Sequence, residues 1–132
     1  MRRFRFLRNP RPDELGHNVE EFLSYLGGPC CIFLEGKDTT RNRAFVTLLH
    51  GNEPSGAIAL YQCLRAGVQP AVNVVCIVAS VVAALTAPSF SHRMLPGARD
   101  LNRCFRPPFK DEQGRLAEEI LEILRLHHPE AV

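Results

Sequence analysis

The chain has 132 residues, of which 45% are hydrophobic and 23% charged, and its formal net charge is +2. This length supports one domain with a hydrophobic core, and this composition excludes an intrinsically disordered chain and a protein that binds polyanions through bulk charge. No signal peptide is visible, and the longest apolar run, residues 71–87, is short for a membrane span and contains Asn73, Ser80 and Thr86. We therefore expect a cytoplasmic protein without a membrane partner.

The cysteines also indicate a reducing compartment. There are five of them, an odd number, and no Cys-x-x-Cys pair occurs. Because four lie inside apolar runs, we expect free, buried thiols rather than a disulfide framework or a thiolate metal site.

Residues 1–17 are interpreted as an arginine-rich leader that precedes the domain at residues 18–132. No acidic residue occurs before Asp13, and the leader could be a nucleic-acid arm or a transit peptide. The favoured interpretation is a solvated segment whose Phe4, Phe6 and Leu7 pack onto the domain, so no nucleic-acid partner is expected. The arginines concerned are Arg2, Arg3, Arg5, Arg8 and Arg11.

The first half of the domain predicts one helix followed by two strands. Residues 18–26 carry apolar side chains at helical spacing, with Asn18 and Glu21 as a capping box and Gly27 as the end of the helix. The apolar runs at residues 30–36 and 43–51 predict a pair of strands joined by a polar connection.

The second half predicts alternating helices and strands. A helix that Pro54 opens and Gly67 closes leads into residues 72–79, which are apolar throughout, as a strand buried on both faces should be. Residues 85–110 contain four prolines and predict a long loop, and a helix is expected from about residue 113 to 127. The fold class predicted is α/β, with a mixed, largely buried sheet flanked by helices.

Two short motifs carry residues suited to metal and substrate chemistry. In LLHGNEPSG, His50 ends an apolar strand and Glu53 follows three residues later, so a turn at Gly51 can aim imidazole and carboxylate at one zinc ion. In ARDLNRCF, Asn102 and Arg103 offer an amide and a guanidinium fork suited to a carboxylate, and Asp100 could orient either of them. Taken alone, the first motif is also compatible with an ordinary strand end, and the second with a solvated loop.

Together, HGNExxG, a buried strand and DLNRxF resemble the succinylglutamate desuccinylase/aspartoacylase family, over roughly residues 43–132. Metal-dependent carboxypeptidases share part of this pattern, namely HxxE followed further along the chain by Asn-Arg. The resemblance implies a zinc-carboxypeptidase-like fold and the zinc-dependent hydrolysis of an amide bond in a small N-acyl amino acid or related amine. It implies one Zn²⁺ held by His50 and Glu53, and a substrate pocket containing Asn102 and Arg103. An arginine preceding the second motif, Arg93 or Arg99, would assist.

The sequence departs from this family in three respects. Ser80 stands where relatives often carry asparagine, and neither Arg93 nor Arg99 has the family's spacing. The third zinc ligand, a histidine in a DLH-type motif, and the general base are expected after the last helix. The domain is therefore interpreted as the N-terminal part of a zinc hydrolase, incomplete at the C-terminus and inactive alone, with His92 as a weak substitute ligand.

Two alternatives remain open at this stage. The chain could be a peptide carboxypeptidase of the same chemistry, or a catalytically incompetent fragment that acts as a binding or interaction module. The expected partner is a small acyl-amino-acid substrate, and homo-oligomerisation is one outcome that the sequence allows.

Overall fold

The computed structural model describes residues 3–132, which form four strands and four α-helices. A 3₁₀ turn covers Pro12–Glu14 and another covers Leu101–Arg103. The strands are β1 (Arg5–Arg8), β2 (Cys30–Leu34), β3 (Asp38–Thr47) and β4 (Val72–Val78). The helices are α1 (Val19–Leu26), α2 (Ser55–Ala66), α3 (Val81–Leu85) and α4 (Glu112–His127).

The strands form one mixed sheet in the order β1-β2-β4-β3. β4 is parallel to β3 and antiparallel to β2, and β1 is parallel to β2. Every residue of β4 is buried, because its two edges are paired and both faces are covered. The prediction of a strand buried on both faces at residues 72–79 is confirmed, and α2 connects this strand to β3, its parallel neighbour.

The prediction that the runs at 30–36 and 43–51 pair with each other is wrong, because β4 lies between β2 and β3. Gly36 packs so tightly against the backbone of Val72 that a Cβ would collide with it, and its N–H donates to the side chain of Asn73 at 2.9 Å. The chain therefore passes across the start of β4. Because β4 is buried on both faces, the backbone groups along both of its edges need hydrogen-bond partners. β2 and β3 each pair with one edge of β4, and they therefore do not pair with each other, although they are consecutive in the sequence.

Local signals in the sequence set the helix ends. The side chain of Asn18 accepts a hydrogen bond from the N–H of Glu21 at 2.8 Å, and Gly27 closes α1 in the left-handed conformation. Gly67 closes α2 in the same way, and the Asp111 side chain caps α4 through the N–H of Gly114 at 2.9 Å. The short helix α3 was not predicted, because five residues are too few to show helical periodicity.

Two hydrophobic clusters lie on opposite faces of the sheet. One packs α1, α2 and α3 against the face that carries Ile32, Val74 and Cys76. The other packs α4 and the 3₁₀ turn at Leu101 against the face that carries Val75. The expectation of a mixed sheet flanked by helices is thus confirmed. Burial is concentrated in β2 and β4, since β1 has no buried residue and β3 has only Ala44.

The described part of the arginine-rich segment adds strand β1 to the sheet. Phe4 is buried, whereas Phe6 is 46% exposed. The guanidinium of Arg5 lies over the ring of Tyr25, and that of Arg8 lies over a second aromatic ring. These arginines make contacts within the fold, while Arg2 lies outside the described residues.

The remaining described segments are mostly irregular. After α4, the N–H of Glu130 donates to the carbonyl of Asn42 at 2.8 Å, and the N–H of Ala44 donates to the carbonyl of Ala131 at 2.9 Å. Residues 130–131 therefore lie along the outer edge of β3.

Of the five thiols, four are buried and Cys63 is exposed. Within residues 3–132, no helix is long and apolar enough to cross a membrane.

Candidate functional site

The two motifs meet at the carboxyl ends of β3 and β4. These strands are parallel and adjacent, so the segments that follow them emerge side by side at one edge of the sheet. In open α/β sheets, ligands commonly bind at this edge, where loops leave neighbouring strands. His50 follows β3 here, and the long loop after α3 brings Asp100 back to it.

The turn after β3 is held in an uncommon backbone conformation. Leu48 is buried and has a φ of 56°, the left-handed region that a non-glycine residue seldom adopts. Ser80, at the end of β4, fixes this turn with two hydrogen bonds at 2.8 Å, from its N–H to the Leu48 carbonyl and from its hydroxyl to the Leu49 carbonyl. The residue that departs from the family pattern thus positions the backbone immediately before His50.

Gly51 is required here by close packing. A Cβ on this residue would collide with the carbonyl oxygen of His92 and would lie 2.8 Å from the nitrogen of Ala84. The N–H of Gly51 donates to the carbonyl of Arg93 at 2.9 Å. The turn, α3 and the loop at residues 92–93 are therefore packed backbone to backbone, which leaves the imidazole of His50 little freedom to move.

His50 is held between two carboxylates. Its side chain is 7% exposed, its Nε2 lies 2.7 Å from Asp100 Oδ1, and its Nδ1 lies 3.1 Å from Glu53 Oε1. A histidine ligand commonly donates its second ring N–H to a carboxylate, which fixes the tautomer. In the tautomer that donates from Nε2 to Asp100, Nδ1 carries the lone pair and faces the oxygen of Glu53.

Asp100 is the central acceptor of this site. It accepts hydrogen bonds from the N–H of Asn102 at 2.9 Å and from the guanidinium of Arg93 at 3.1 Å, in addition to its contact with His50. The hydrogen bond with His50, followed by those from Asn102 and Arg93, holds the pKa of this carboxyl well below its usual range. It is therefore a permanent negative charge behind the imidazole.

The sequence predicts that Asp100 orients Asn102 or Arg103, and it does not predict the contact with His50. The two residues are fifty positions apart, and no spacing in the sequence connects them. The contact could have been inferred from the chemistry of the site. A histidine that binds a metal through one ring nitrogen needs an acceptor, often a carboxylate, for the N–H of the other.

The pair His50 and Glu53 fits two positions of a zinc site. Two acceptor atoms 3.1 Å apart repel each other unless a proton or a cation lies between them, and imidazole nitrogen with carboxylate oxygen is a ligand combination that zinc accepts. The side chain of Glu53 is 60% exposed, so this side of the pair is open to solvent. Within residues 3–132, no group of three or more His, Cys, Asp or Glu side chains could hold a metal ion.

The three arginines proposed for substrate binding lie in different environments. Arg93 pairs with Asp100 and therefore borders His50. Arg99 makes two hydrogen bonds to Asp111 at the start of α4, so its guanidinium is committed to the end of that helix. Arg103 is exposed and forms no ion pair with the residues that the structure describes.

The other predicted residues are placed as follows. Asn102 is exposed, and its backbone N–H donates to Asp100. His92 is bonded through Nε2 to the carbonyl of Ala87 at 3.1 Å and belongs to no metal-binding group of the described residues. The structure thus brings His50, Glu53, Asp100 and Arg93 together, whereas the His92 ring is bonded to a backbone carbonyl.

Comparison with known proteins adds no relative to this description: no protein-family model, no curated protein and no solved structure matches the chain.

Proposed function

We propose that the protein is a zinc-dependent amidohydrolase whose substrate is a small N-acyl amino acid or related amine. The observation that carries this proposal is the arrangement of His50, whose Nε2 is bound to Asp100 while Nδ1 faces Glu53. An imidazole fixed in this way, beside a solvent-accessible carboxylate, is suited to binding zinc. The resemblance of HGNExxG and DLNRxF to the desuccinylase and aspartoacylase family supports the same assignment.

Each residue has a distinct part in the proposed reaction. His50 and Glu53 would hold the zinc ion, which when bound polarises an amide carbonyl and activates water. Asp100 keeps the imidazole oriented, and Arg93 keeps Asp100 in place. Arg103, whose guanidinium forms no ion pair with residues 3–132, would bind the carboxylate of the amino-acid part of the substrate.

Zinc titration by calorimetry tests this assignment. We expect weak, one-to-one binding and little hydrolysis, since the described residues supply only two converging ligands and each missing ligand removes a strong bond. His50→Ala should abolish binding. Asp100→Asn should weaken it roughly 10–100-fold, because the partner that orients His50 becomes a neutral amide.

Asp111→Asn is the matched control, since this carboxyl bonds to Arg99 and the start of α4 and not to His50. Zinc affinity that His50→Ala and Asp100→Asn leave unchanged would refute the proposed site. Tight stoichiometric zinc, together with turnover of N-acyl amino acids, would show instead that the site is already complete.

A second candidate is a binding module without catalysis. It is favoured by the lack of a third ligand near His50 and Glu53 among residues 3–132. The two candidates differ in one measurable respect: a binding module should take up an N-acyl amino acid with the same affinity whether zinc or a chelator is present.

A further inference from the structure

The outer edge of β3 already holds one extended segment of the chain. The N–H of Glu130 donates to the carbonyl of Asn42 at 2.8 Å, and the N–H of Ala44 donates to the carbonyl of Ala131 at 2.9 Å. These contacts advance in the same direction along both segments, so residues 130–131 run parallel to β3. The first half of this edge therefore binds extended backbone in a defined register and direction.

Two arginines add a charged contact to this backbone pairing. Arg41 donates two hydrogen bonds to the carboxylate of Glu130, at 2.6 and 3.1 Å, and Arg43 donates a third at 3.1 Å. The hydrogen bond from Arg41, followed by that from Arg43, lowers the pKa of Glu130 below its ordinary value. The two guanidinium groups thus converge on one point, which is where an acidic side chain of a partner would be bound.

The bound segment lies at the surface. The side chains of Arg41, Arg43 and Glu130 are 49%, 53% and 38% exposed, and Val132 beyond them is 73% exposed. Ion pairs that are this exposed are screened by water and salt and contribute little to stability. Residues 130–131 can therefore be displaced by a competitor that makes the same bonds.

The rest of the same edge is open to a longer occupant. In a parallel pair, alternate residues turn their N–H and C=O groups away from the partner strand, so Val46 points outward as Ala44 does. No strand of residues 3–132 pairs with this part of β3, and Phe45 there is 58% exposed. A segment longer than residues 130–131 would keep their contacts and add hydrogen bonds and apolar contact at this end.

We infer that the outer edge of β3 is a docking site for an extended segment of a partner protein, in which a carboxylate side chain is followed by β-branched residues. Residues 130–131 occupy the start of this site and compete with the partner. The binding mode is strand addition, in which backbone hydrogen bonds supply affinity and side chains supply specificity. It uses no residue of the His50 site, so it does not depend on the proposed function.

The test is fluorescence anisotropy with a labelled peptide, HPEAVTV, added to the whole chain. The peptide repeats residues 128–132 and extends them by two β-branched residues, which favour a strand. The matched control peptide is HPKAVTV, which has lysine in place of glutamate. It should bind roughly tenfold more weakly, because its ammonium group meets two guanidinium groups. A higher salt concentration should reduce this difference.

Variants of the protein identify the site. Glu130→Gln weakens the competing segment and should tighten the binding of HPEAVTV roughly threefold. Glu122→Gln removes the same charge from an exposed position on α4 and should leave this binding unchanged. The double variant Arg41→Glu/Arg43→Glu should reverse the preference between the two peptides. Equal binding of the two peptides to wild type, binding of neither, or a Glu130→Gln protein that binds HPEAVTV no more tightly than wild type would overturn the docking site.

Discussion

At the scale of single residues, the bonding of the three arginines proposed for substrate binding suggests a role for each. Arg99 is fixed to Asp111 and supports the start of α4, and Arg93 is fixed to Asp100 beside His50. Arg103 has no such partner among residues 3–132. Because the exposed guanidinium of Arg103 forms no such bond, Arg103 can be substituted without unfolding the loop. Its effect on ligand affinity can therefore be measured separately from any effect on stability.

We expect Arg103→Lys to weaken the binding of a small N-acyl amino acid such as N-acetylglycine roughly tenfold while leaving Tm unchanged. The guanidinium fork can make two parallel bonds to a carboxylate, whereas an ammonium group acts as a point charge. Arg99→Lys is the matched control and should lower Tm without affecting affinity, since it breaks the pair with Asp111. A lower Tm and unchanged affinity in Arg103→Lys would assign that arginine to the loop structure instead.

The pair of Arg99 and Asp111 also predicts a dependence of stability on pH. The guanidinium of Arg99, and next the N–H of Gly114, hold the pKa of Asp111 well below its usual range. A depressed pKa in the folded state means that the stabilisation is present above the unfolded value of about 4 and is lost as the pH falls below it. Because both side chains are nearly half exposed, salt should reduce the effect.

Asp111→Asn should therefore lower Tm at neutral pH, and the difference from wild type should shrink as the pH falls below about 4. The amide of asparagine can still cap α4, so the variant removes the charge and keeps the helix end. Thermal unfolding from neutral to acidic pH measures this. A difference in Tm that stays constant over the whole range would show that Asp111 acts only as a cap.

At the scale of elements, the unit formed by β3, its following turn and α2 determines where His50 lies. Thr47 of β3 contacts the backbone of Gly56 in α2 closely enough that a Cβ on Gly56 would lie 3.2 Å from the threonine methyl. Gly51 is packed more tightly still, against α3 and the loop at residue 92. The turn is therefore enclosed on several sides by elements that are distant in sequence.

Gly51→Ala should destabilise the fold by about 1–3 kcal/mol, because the added methyl group must displace backbone and not a flexible side chain. It should also weaken zinc binding, since His50 is the preceding residue. Gly28→Ala is the matched control, because a Cβ on Gly28 meets no atom within 4 Å. Urea unfolding and zinc calorimetry on both variants give the measurement, and a Gly51→Ala protein as stable as the control would contradict the packing argument.

The sequence predicted those elements whose signals are local. The run at Val72–Val78 could only be a buried strand, and Asn18 with Glu21 marked the start of α1. The convergence of His50 and Glu53 was predictable for the same reason, because three residues and a turn separate them. The position of β4 between β2 and β3 and the contact of Asp100 with His50 were not predictable, since both depend on how distant segments pack.

At the scale of the whole molecule, the sheet separates two clusters and buries most of the thiols. Burial raises the pKa of Cys30 and Cys76 to about 12 and that of Cys31 to about 11. These thiols stay protonated at neutral pH, and a protonated thiol is a poor metal ligand. The buried thiols on the two faces of the sheet therefore have a structural role, and the candidate metal-binding residues lie at the edge where β3 and β4 end.

The outer edge of β3 has two dissimilar halves. Near its start, Arg41 and Arg43 pair with Glu130, and residues 130–131 bond to the edge, so charge and backbone cover it. Nearer its end, Phe45 is 58% exposed, and no strand of residues 3–132 pairs with this edge. An open strand edge beside an exposed aromatic side chain is a surface that favours pairing with another chain.

We therefore expect the protein to associate with itself as its concentration rises, through the half of β3 that carries Phe45. Phe45→Lys should leave a monomer at concentrations where the wild type associates, because an edge lysine loses its hydration when a second strand approaches. Its stability should change by less than about 0.5 kcal/mol, since the side chain is on the surface. Sedimentation velocity over a range of concentrations measures the effect.

Leu126→Lys is the control for apolar exposure in general, because Leu126 is 75% exposed on α4, on the other side of the sheet from α2. If exposed hydrophobic area alone drove association, this larger exposure would make Leu126→Lys the stronger suppressor. If the edge of β3 drives it, only Phe45→Lys of these two variants suppresses association, because Phe45, unlike Leu126, lies on a strand edge that no other strand of residues 3–132 pairs with. Association that persists in Phe45→Lys would contradict the edge as the contact surface.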